Sequence, residues 1–343
     1  MKVALLLDSQ DVGGIETHVA ELVKGLASIR IKPDVVFYQQ HVSMHPMLSM
    51  LKRRDCNLVQ LDGRIGSLQA YLQTNKPLLH THGYKAGIIG RLLARWMGLP
   101  VVSTFHNGDP GKGKMFLYNQ LDRITSFLSE NICVNRQIAS WLPSTKHVIP
   151  NFIDIPEQQG ALTNRHKVAF IGRMSHEKGP DIFTQICEPM PYRIALYGSG
   201  PMLKQLENEN PGYQFYGRTK MDRHWQDIRV VAITSRYEGL PLVALEAMAR
   251  GIPVVASNSG ALPDLLPKAG LGKTIDCNNC EGFREEIERW MTMDNSRYIE
   301  HSEKMRDFIR ANYSLQKRLP DIMRIYHSAL GKRINQAQKE SLP

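Results

Sequence analysis

Short apolar runs rich in β-branched residues alternate with longer stretches whose apolar positions recur at helical spacing, from one end of the chain to the other. The first pattern suits buried parallel strands and the second amphipathic helices, so the chain reads as α/β. In the first half, strands are predicted at Lys2–Asp8, Asp34–Tyr38, Leu78–Thr81, Pro100–Phe105, Ile132–Asn135 and His147–Ile149, with helices such as Thr17–Ile29 and Gly87–Met97 between them. In the second half they fall at Lys167–Gly172, Arg193–Tyr197, Gln214–Tyr216, Val230–Thr234 and Pro253–Ser257. Two doubly wound units follow. The polar, breaker-rich stretch Asp154–Arg165 marks the linker between a first domain at 1–153 and a second at 166–312. A helix at 313–330 is expected to pack back toward the first domain, ahead of a mobile polar tail at 331–343.

Length agrees with this division, since 343 residues are about twice a common domain. A composition of 42% hydrophobic and 22% charged residues is that of a globular protein and excludes extensive disorder. No run approaches the ~18 apolar residues of a membrane span, and Val3–Leu7 opens as a strand without a signal-peptide layout, so a cytoplasmic protein is expected. Five cysteines are too few for a disulfide framework, and Cys277-Asn-Asn-Cys280 lacks the second pair of a structural zinc site. The net charge of +10 is spread along the chain, +6 of it within 1–155. Dense basic runs with interleaved aromatics are missing, which argues against nucleic acid and leaves anionic lipid or phosphorylated ligands as partners.

The most informative segment is Ser235-Arg-Tyr-Glu238-Gly-Leu-Pro-Leu-Val-Ala-Leu-Glu246-Ala-Met-Ala-Arg-Gly251, continuing to Ser257. Pro241 suits the first turn of a helix and Gly251 its end, which turns the amides of Leu240, Pro241's neighbour Leu242 and Val243 toward an anion at the helix start. Glu246 lies roughly 7–8 Å further along the axis at ~1.5 Å per residue, so two carboxylates bracket the anion position. Carboxylates on both sides of a diphosphate make sense if one takes ribose hydroxyls and the other sugar hydroxyls. The ligand so described is a nucleotide-sugar.

Here the sequence resembles the retaining glycosyltransferases of family 4, the group 1 glycosyl transferases, whose GT-B fold sets two Rossmann-like domains facing across a cleft. The resemblance rests first on the Glu-x7-Glu element from Glu238 to Glu246 and covers nearly the whole chain, most strongly 166–267. It implies that Glu238 meets the donor sugar near the reacting face, Glu246 the ribose, and the stretch Leu240, Pro241, Leu242 and Val243 the diphosphate. A second match, Phe170-Ile-Gly172-Arg173-Met-Ser-His-Glu-Lys178-Gly179, ends a strand in glycine and follows it with two cations. By resemblance Arg173 and Lys178 neutralise the departing diphosphate, which makes a metal dispensable. A third, Gly13-Gly14-Ile-Glu16-Thr-His18, opens a helix with a glycine pair, and the resemblance sets Gly14 against the donor while Glu16 and His18 serve the helix start and packing. In Thr104-Phe-His106-Asn107, His106 is implied to be a catalytic neighbour of the donor sugar, and His80-Thr81-His82 is assigned to the acceptor side or to packing. Tyr197-Gly198, Tyr216-Gly217 and Arg218 would lie near the base and diphosphate.

Three departures stand out, the first two on the acceptor side and the third at the sugar pocket. Pro150-Asn151-Phe152 replaces the family's Pro-Asn-Gly, Val134-Asn135-Arg136 its Val-Ser-Glu, and Gly260-Ala261 its Gly-Gly. The implied activity is transfer of a hexose, from a UDP-sugar by preference, to a glycan or lipid-linked saccharide in bacterial surface polysaccharide or lipopolysaccharide synthesis. It needs no cofactor beyond the donor, and peripheral contact with the inner face of the cytoplasmic membrane is expected. A GT-B nucleotide-sugar epimerase and a non-catalytic nucleotide-sugar-binding protein are the alternatives.

Overall fold

The computed structural model describes residues 1–41, 45–52, 54–106, 111, 113–144, 146–156, 165–272 and 274–340. Asn107 and most of the predicted linker, 157–164, lie outside the described residues. The chain divides into two compact units, one comprising Met1–Asp154 together with the segment from Leu315 onward, the other Ile155–Ser314.

The first unit runs β1 (Val3–Leu7), α1 (Gly14–Ser28), β2 (Asp34–Phe37), α2 (Met47–Leu51), β3 (Asn57–Gln60), α3 (Ile65–Asn75), β4 (Leu78–His82), α4 (Tyr84–Trp96), β5 (Val101–Phe105), α5 (Lys114–Ile124), β6 (Glu130–Cys133), α6 (Arg136–Trp141) and β7 (Lys146–Val148). All strands pair in parallel in the order β3-β2-β1-β4-β5-β6-β7. Strand side chains alternate between the two faces of a sheet, and β1 shows it plainly. Val3, Leu5 and Leu7 pack with Val19, Leu22 and Leu26 of α1, while Ala4 and Leu6 join Leu68 and Leu72 of α3 and Ala94 of α4. A strand covered on both faces must be apolar throughout, which is why β1 reads as an unbroken run.

The second unit contains β8 (Lys167–Ile171), α7 (Pro180–Cys187), β9 (Arg193–Tyr197), α8 (Leu203–Glu209), β10 (Gln214–Phe215), β11 (Ile228–Ile233), α9 (Leu242–Met248), β12 (Val254–Ala256), α10 (Leu262–Lys268), α11 (Cys280–Thr292) and α12 (Asn295–Tyr313). Its five strands are parallel in the order β10-β9-β8-β11-β12. The last helix, α13 (Leu315–Glu340), returns to the first unit, where Leu315, Leu319, Ile322, Ile325 and Tyr326 enter the core beside α1.

Several boundaries differ from the sequence reading. The short edge strand β3 was not predicted, because Asn57 and Gln60 are polar and a strand paired on one side need not be apolar. The strand predicted at Ile132–Asn135 is Glu130–Cys133, since its ladder with β5 starts at the Val102–Glu130 pair. Asn135 instead caps α6, its Oδ1 accepting from the Ile138 amide at 2.7 Å. The polar stretch from 331, expected as a tail, continues α13 to Glu340, and its Lys, Gln, Ala and Glu residues are good helix formers.

Candidate active site

In an open parallel sheet, ligands bind at the carboxyl ends of the strands, where the strand order reverses. In the second unit the reversal lies between β8 and β11. The loop after β8 carries Gly172, Arg173 and Lys178; the loop after β11 carries Ser235 and Glu238 and leads into α9 with Glu246. Lys178 Nζ lies 2.8 Å from Glu238 Oε1, and that same oxygen accepts from Ser235 Oγ at 2.7 Å. Glu238 is buried whereas Arg173 is exposed on the same loop as Lys178. The two loops are tied by Thr234 Oγ1 donating to Gly179 O at 2.7 Å and by Arg236 clamping Asp181 with bonds of 3.0 and 2.7 Å.

Pro241 adopts extended backbone (ψ 124°) as the cap, so α9 begins at Leu242, one residue later than predicted. The proline ring fixes φ but leaves ψ free, and its extended ψ places the chain entry outside the helix. The amides of Leu242 and Val243 therefore open the helix, whereas Leu240 belongs to the loop before it. Leu240, Pro241 and Leu242 are buried and Val243 and Glu246 half-buried, with Arg250 donating to the Glu246 carbonyl at 2.9 Å.

Gly198 follows β9 directly and lies beside Gly172. Its φ of +132° is glycine territory, and a Cβ there would stand 1.9 Å from the Gly172 carbonyl oxygen. Arg218 follows β10 and is exposed. Tyr197 is 2% exposed and stacked on Tyr216 at 4.6 Å, which ties the end of β9 to the loop after β10. Cys277 and Cys280 are free thiols.

The first unit reverses its strand order between β1 and β4. Gly13 caps α1 and donates its amide to Glu16 Oε2 at 2.7 Å, so Glu16 is the helix-start residue expected. A Cβ on Gly14 would meet nothing within 4 Å, so the unit's own packing does not require glycine there. His106 is half-buried just past β5, and its Nε2 lies 3.2 Å from His82 Nδ1. His18, packed on Phe152, has its ring centre 4.7 Å from that of His106. His80 packs on His82 with ring centres 4.2 Å apart, but both its nitrogens are engaged elsewhere: Nδ1 meets Tyr326 Oη and Nε2 meets Thr104 Oγ1, each at 2.7 Å, joining α13 to the sheet. Burial brings His18 to about 4 and His80 to about 3, and holds His82 and His106 well below the usual 6.5, so all four rings are neutral at neutral pH.

A polar cluster missed by the sequence analysis stands at the same end of this sheet. Asp8, just past β1, contacts His41 Nε2 at 2.7 Å and Lys85 Nζ at 2.8 Å. Asp8 and His41 lie in loops and Lys85 in the first turn of α4, and they share no motif; only the parallel register of β1, β2 and β4 assembles them.

Comparison with known proteins agrees with both halves of this picture. Residues 12–157 match the family described as Glycosyltransferase Family 4, and residues 151–313 match Glycosyl transferases group 1. The chain belongs to the group 1, family 4 glycosyltransferases. A glycosyltransferase of Methanocaldococcus jannaschii with no characterised activity is 24% identical over 300 residues, 80% of this chain and 84% of that protein. The Escherichia coli UDP-Gal:alpha-D-GlcNAc-diphosphoundecaprenol alpha-1,3-galactosyltransferase is 25% identical over 317 residues, covering 80% and 81%. Among solved structures, Anabaena HepE in complex with UDP-glucose superposes with a TM-score of 0.83 at 16% identity, over 96% of this chain and all of that one. Such likeness fixes the fold class as GT-B, built here from two parallel-sheet units.

Proposed function

We propose that this glycosyltransferase moves a hexose from a nucleoside diphosphate sugar, preferably a UDP-sugar, to a glycan or lipid-linked saccharide of a bacterial surface polysaccharide or lipopolysaccharide. Transfer proceeds with retention at the anomeric carbon and without a metal. The observation that carries the reading is the 2.8 Å contact of Lys178 with Glu238 at the strand-order reversal of the second sheet, a cation and a carboxylate from two loops within reach of one ligand. In this reading Arg173, Lys178 and the opening amides of α9 hold the diphosphate, Glu246 the ribose and Glu238 the sugar hydroxyls. Gly172 and Gly198 let backbone approach the donor, Arg218 lies near its base end, and Gly14 and His106 serve the sugar from the first unit.

As the bond from the anomeric carbon to the diphosphate oxygen breaks, charge grows on that oxygen, where fixed cations stabilise it more than they stabilise the intact donor. The acceptor oxygen bonds to the carbon on the same face, and its proton passes to the departing phosphate oxygen. The UDP preference is supported by the names of the galactosyltransferase and of HepE with UDP-glucose. The former's acceptor is lipid-linked. With EDTA present, the NMR spectrum of the product should show the donor's own anomeric configuration. An inverted product, or activity lost with EDTA and restored by magnesium, would overturn the mechanism. UDP without metal should raise the melting temperature of the wild type but not of Glu246→Ala.

Membrane contact has structural support of its own. Residues 1–154 hold 17 Lys and Arg against 11 Asp and Glu, and residues 315–343 hold 6 against 2, so the whole net charge of +10 belongs to the first unit and none to the second. On that unit α5 and the turn after it expose Phe116, Leu117, Leu121, Ile124 and Phe127, with Trp96 of α4 72% exposed. An apolar row on a basic body suits the surface of an anionic bilayer. No helix among the described residues is long and apolar enough to cross a membrane. The protein should bind vesicles containing phosphatidylglycerol at low salt, and Leu117→Ser with Phe127→Ser should weaken that binding several-fold; no binding by the wild type would remove membrane contact from the proposal.

A further inference from the structure

We propose that His18, His82 and His106 form a binding site for a zinc-like divalent ion, and that the ion, once bound, silences transfer. The three come from the start of α1, the end of β4 and the residue after β5, which the parallel sheet brings to one end of the first unit. One ring nitrogen from each lies within 4.8 Å of the others. Their ring centres are 4.7, 5.5 and 5.7 Å apart. A tetrahedral ion bound at about 2.0–2.1 Å would set three imidazole centres about 5 Å apart, so little movement is needed.

The second observation is a pair of unmet ring nitrogens. Among the described residues, His18 Nδ1 and His82 Nε2 have no hydrogen-bond partner, although both residues are almost wholly buried. A buried polar atom without a partner costs about 1–3 kcal/mol, and that cost needs a reason. The Asn151 side chain also meets the His18 ring, the kind of contact that orients an imidazole. Phe152, which stands where the family has glycine, packs on the same ring. The donor set is all imidazole, which favours zinc, cobalt, nickel and copper over magnesium and calcium. His106 is the half-buried member of the three, the other two being buried.

Binding at this site is independent of the donor chemistry; only the inhibition rests on the role proposed above for His106. An ion held there takes the His106 lone pair away from the sugar, so zinc acts as an inhibitor that EDTA relieves.

The test uses the full-length protein stripped of metal and titrated with cobalt as a visible probe. A tetrahedral cobalt spectrum should grow to one equivalent, yield to zinc, and withstand a thousandfold excess of magnesium. His18→Gln and His82→Gln should each weaken binding by at least about tenfold, by analogy with the loss seen on removing outer-shell partners. If either buried variant fails to fold, as judged by circular dichroism, His106→Gln at a half-exposed position gives the same reading. The double variant Cys277→Ser, Cys280→Ser should keep the full spectrum. Absence of a tetrahedral spectrum in the folded wild type overturns the site, as does a spectrum lost only in the cysteine variant. Cobalt binding with unchanged transfer rate would keep the site and overturn the inhibition, and with it the placing of His106 at the donor.

Discussion

Arg173→Ala and Lys178→Ala should each lower kcat at saturating donor by about a hundred- to a thousandfold while the protein stays folded. The magnitude is that of removing one preorganised donor aimed at charge that develops in the transition state. Stability should move little, for different reasons at the two positions. Arg173 is exposed. The Lys178 side chain is 32% exposed, so its ion pair is screened, and Ser235 still donates to Glu238 once the lysine has gone. A partly exposed pair of this kind contributes about 1 kcal/mol or less. Initial rates of nucleoside diphosphate release, paired with thermal melts, check both halves. Near-normal turnover in both variants would mean that the leaving group is stabilised elsewhere, and the mechanism would have to be abandoned.

Gly198→Ala should be among the most destabilising single changes in the second unit. The new Cβ would fall 1.9 Å from the Gly172 oxygen, on a backbone with φ +132° that side chains rarely adopt. Since the obstacle is backbone at the end of β8, nothing flexible can yield. A loss of about 3 kcal/mol or more is expected from strain of this kind. At about 2–4 °C per kcal/mol for a unit of this size, the melting transition should fall by at least about 6 °C. Gly14→Ala is the contrasting case. Its Cβ would enter open space and its φ is not positive, so stability should hold or rise slightly, while the KM for donor rises if the donor does lie against that backbone. Differential scanning calorimetry beside donor kinetics separates the two glycines. A stable, active Gly198→Ala would refute the close approach of the β8 and β9 ends.

Much of this was legible in the sequence because a buried parallel strand announces itself. β1 is apolar throughout and β8, β9 and β11 are apolar but for one cation each near the start, and the loops after them carry glycine, cations or acids at fixed spacing. The segment from Ser235 to Ser257 is legible twice over, as strand-loop-helix and as the family's signature. The edge strand β3 is not, because half of its pairing is with water. The cluster of Asp8, His41 and Lys85 is hidden for another reason: each residue is an ordinary loop or helix-start residue until strand register sets them side by side. His18, His82 and His106 were each noticed in separate motifs, yet their meeting depends on α1, β4 and β5 being neighbours at one end of the sheet, which no local pattern encodes.

The return of α13 to the first unit bears on how the chain is made. Leu315, Leu319, Ile322, Ile325, Tyr326 and Ala329 complete a core whose other buried members lie within the first 152 residues. At about 1.5–3 kcal/mol for each side chain buried, that closing helix contributes on the order of 10 kcal/mol. A growing polypeptide therefore finishes the second unit before the first, although the first is synthesised earlier. Until its final helix leaves the ribosome, the nascent first unit carries an open apolar seam beside α1, and chaperone occupancy should track that seam, peaking while residues 155–314 are being translated.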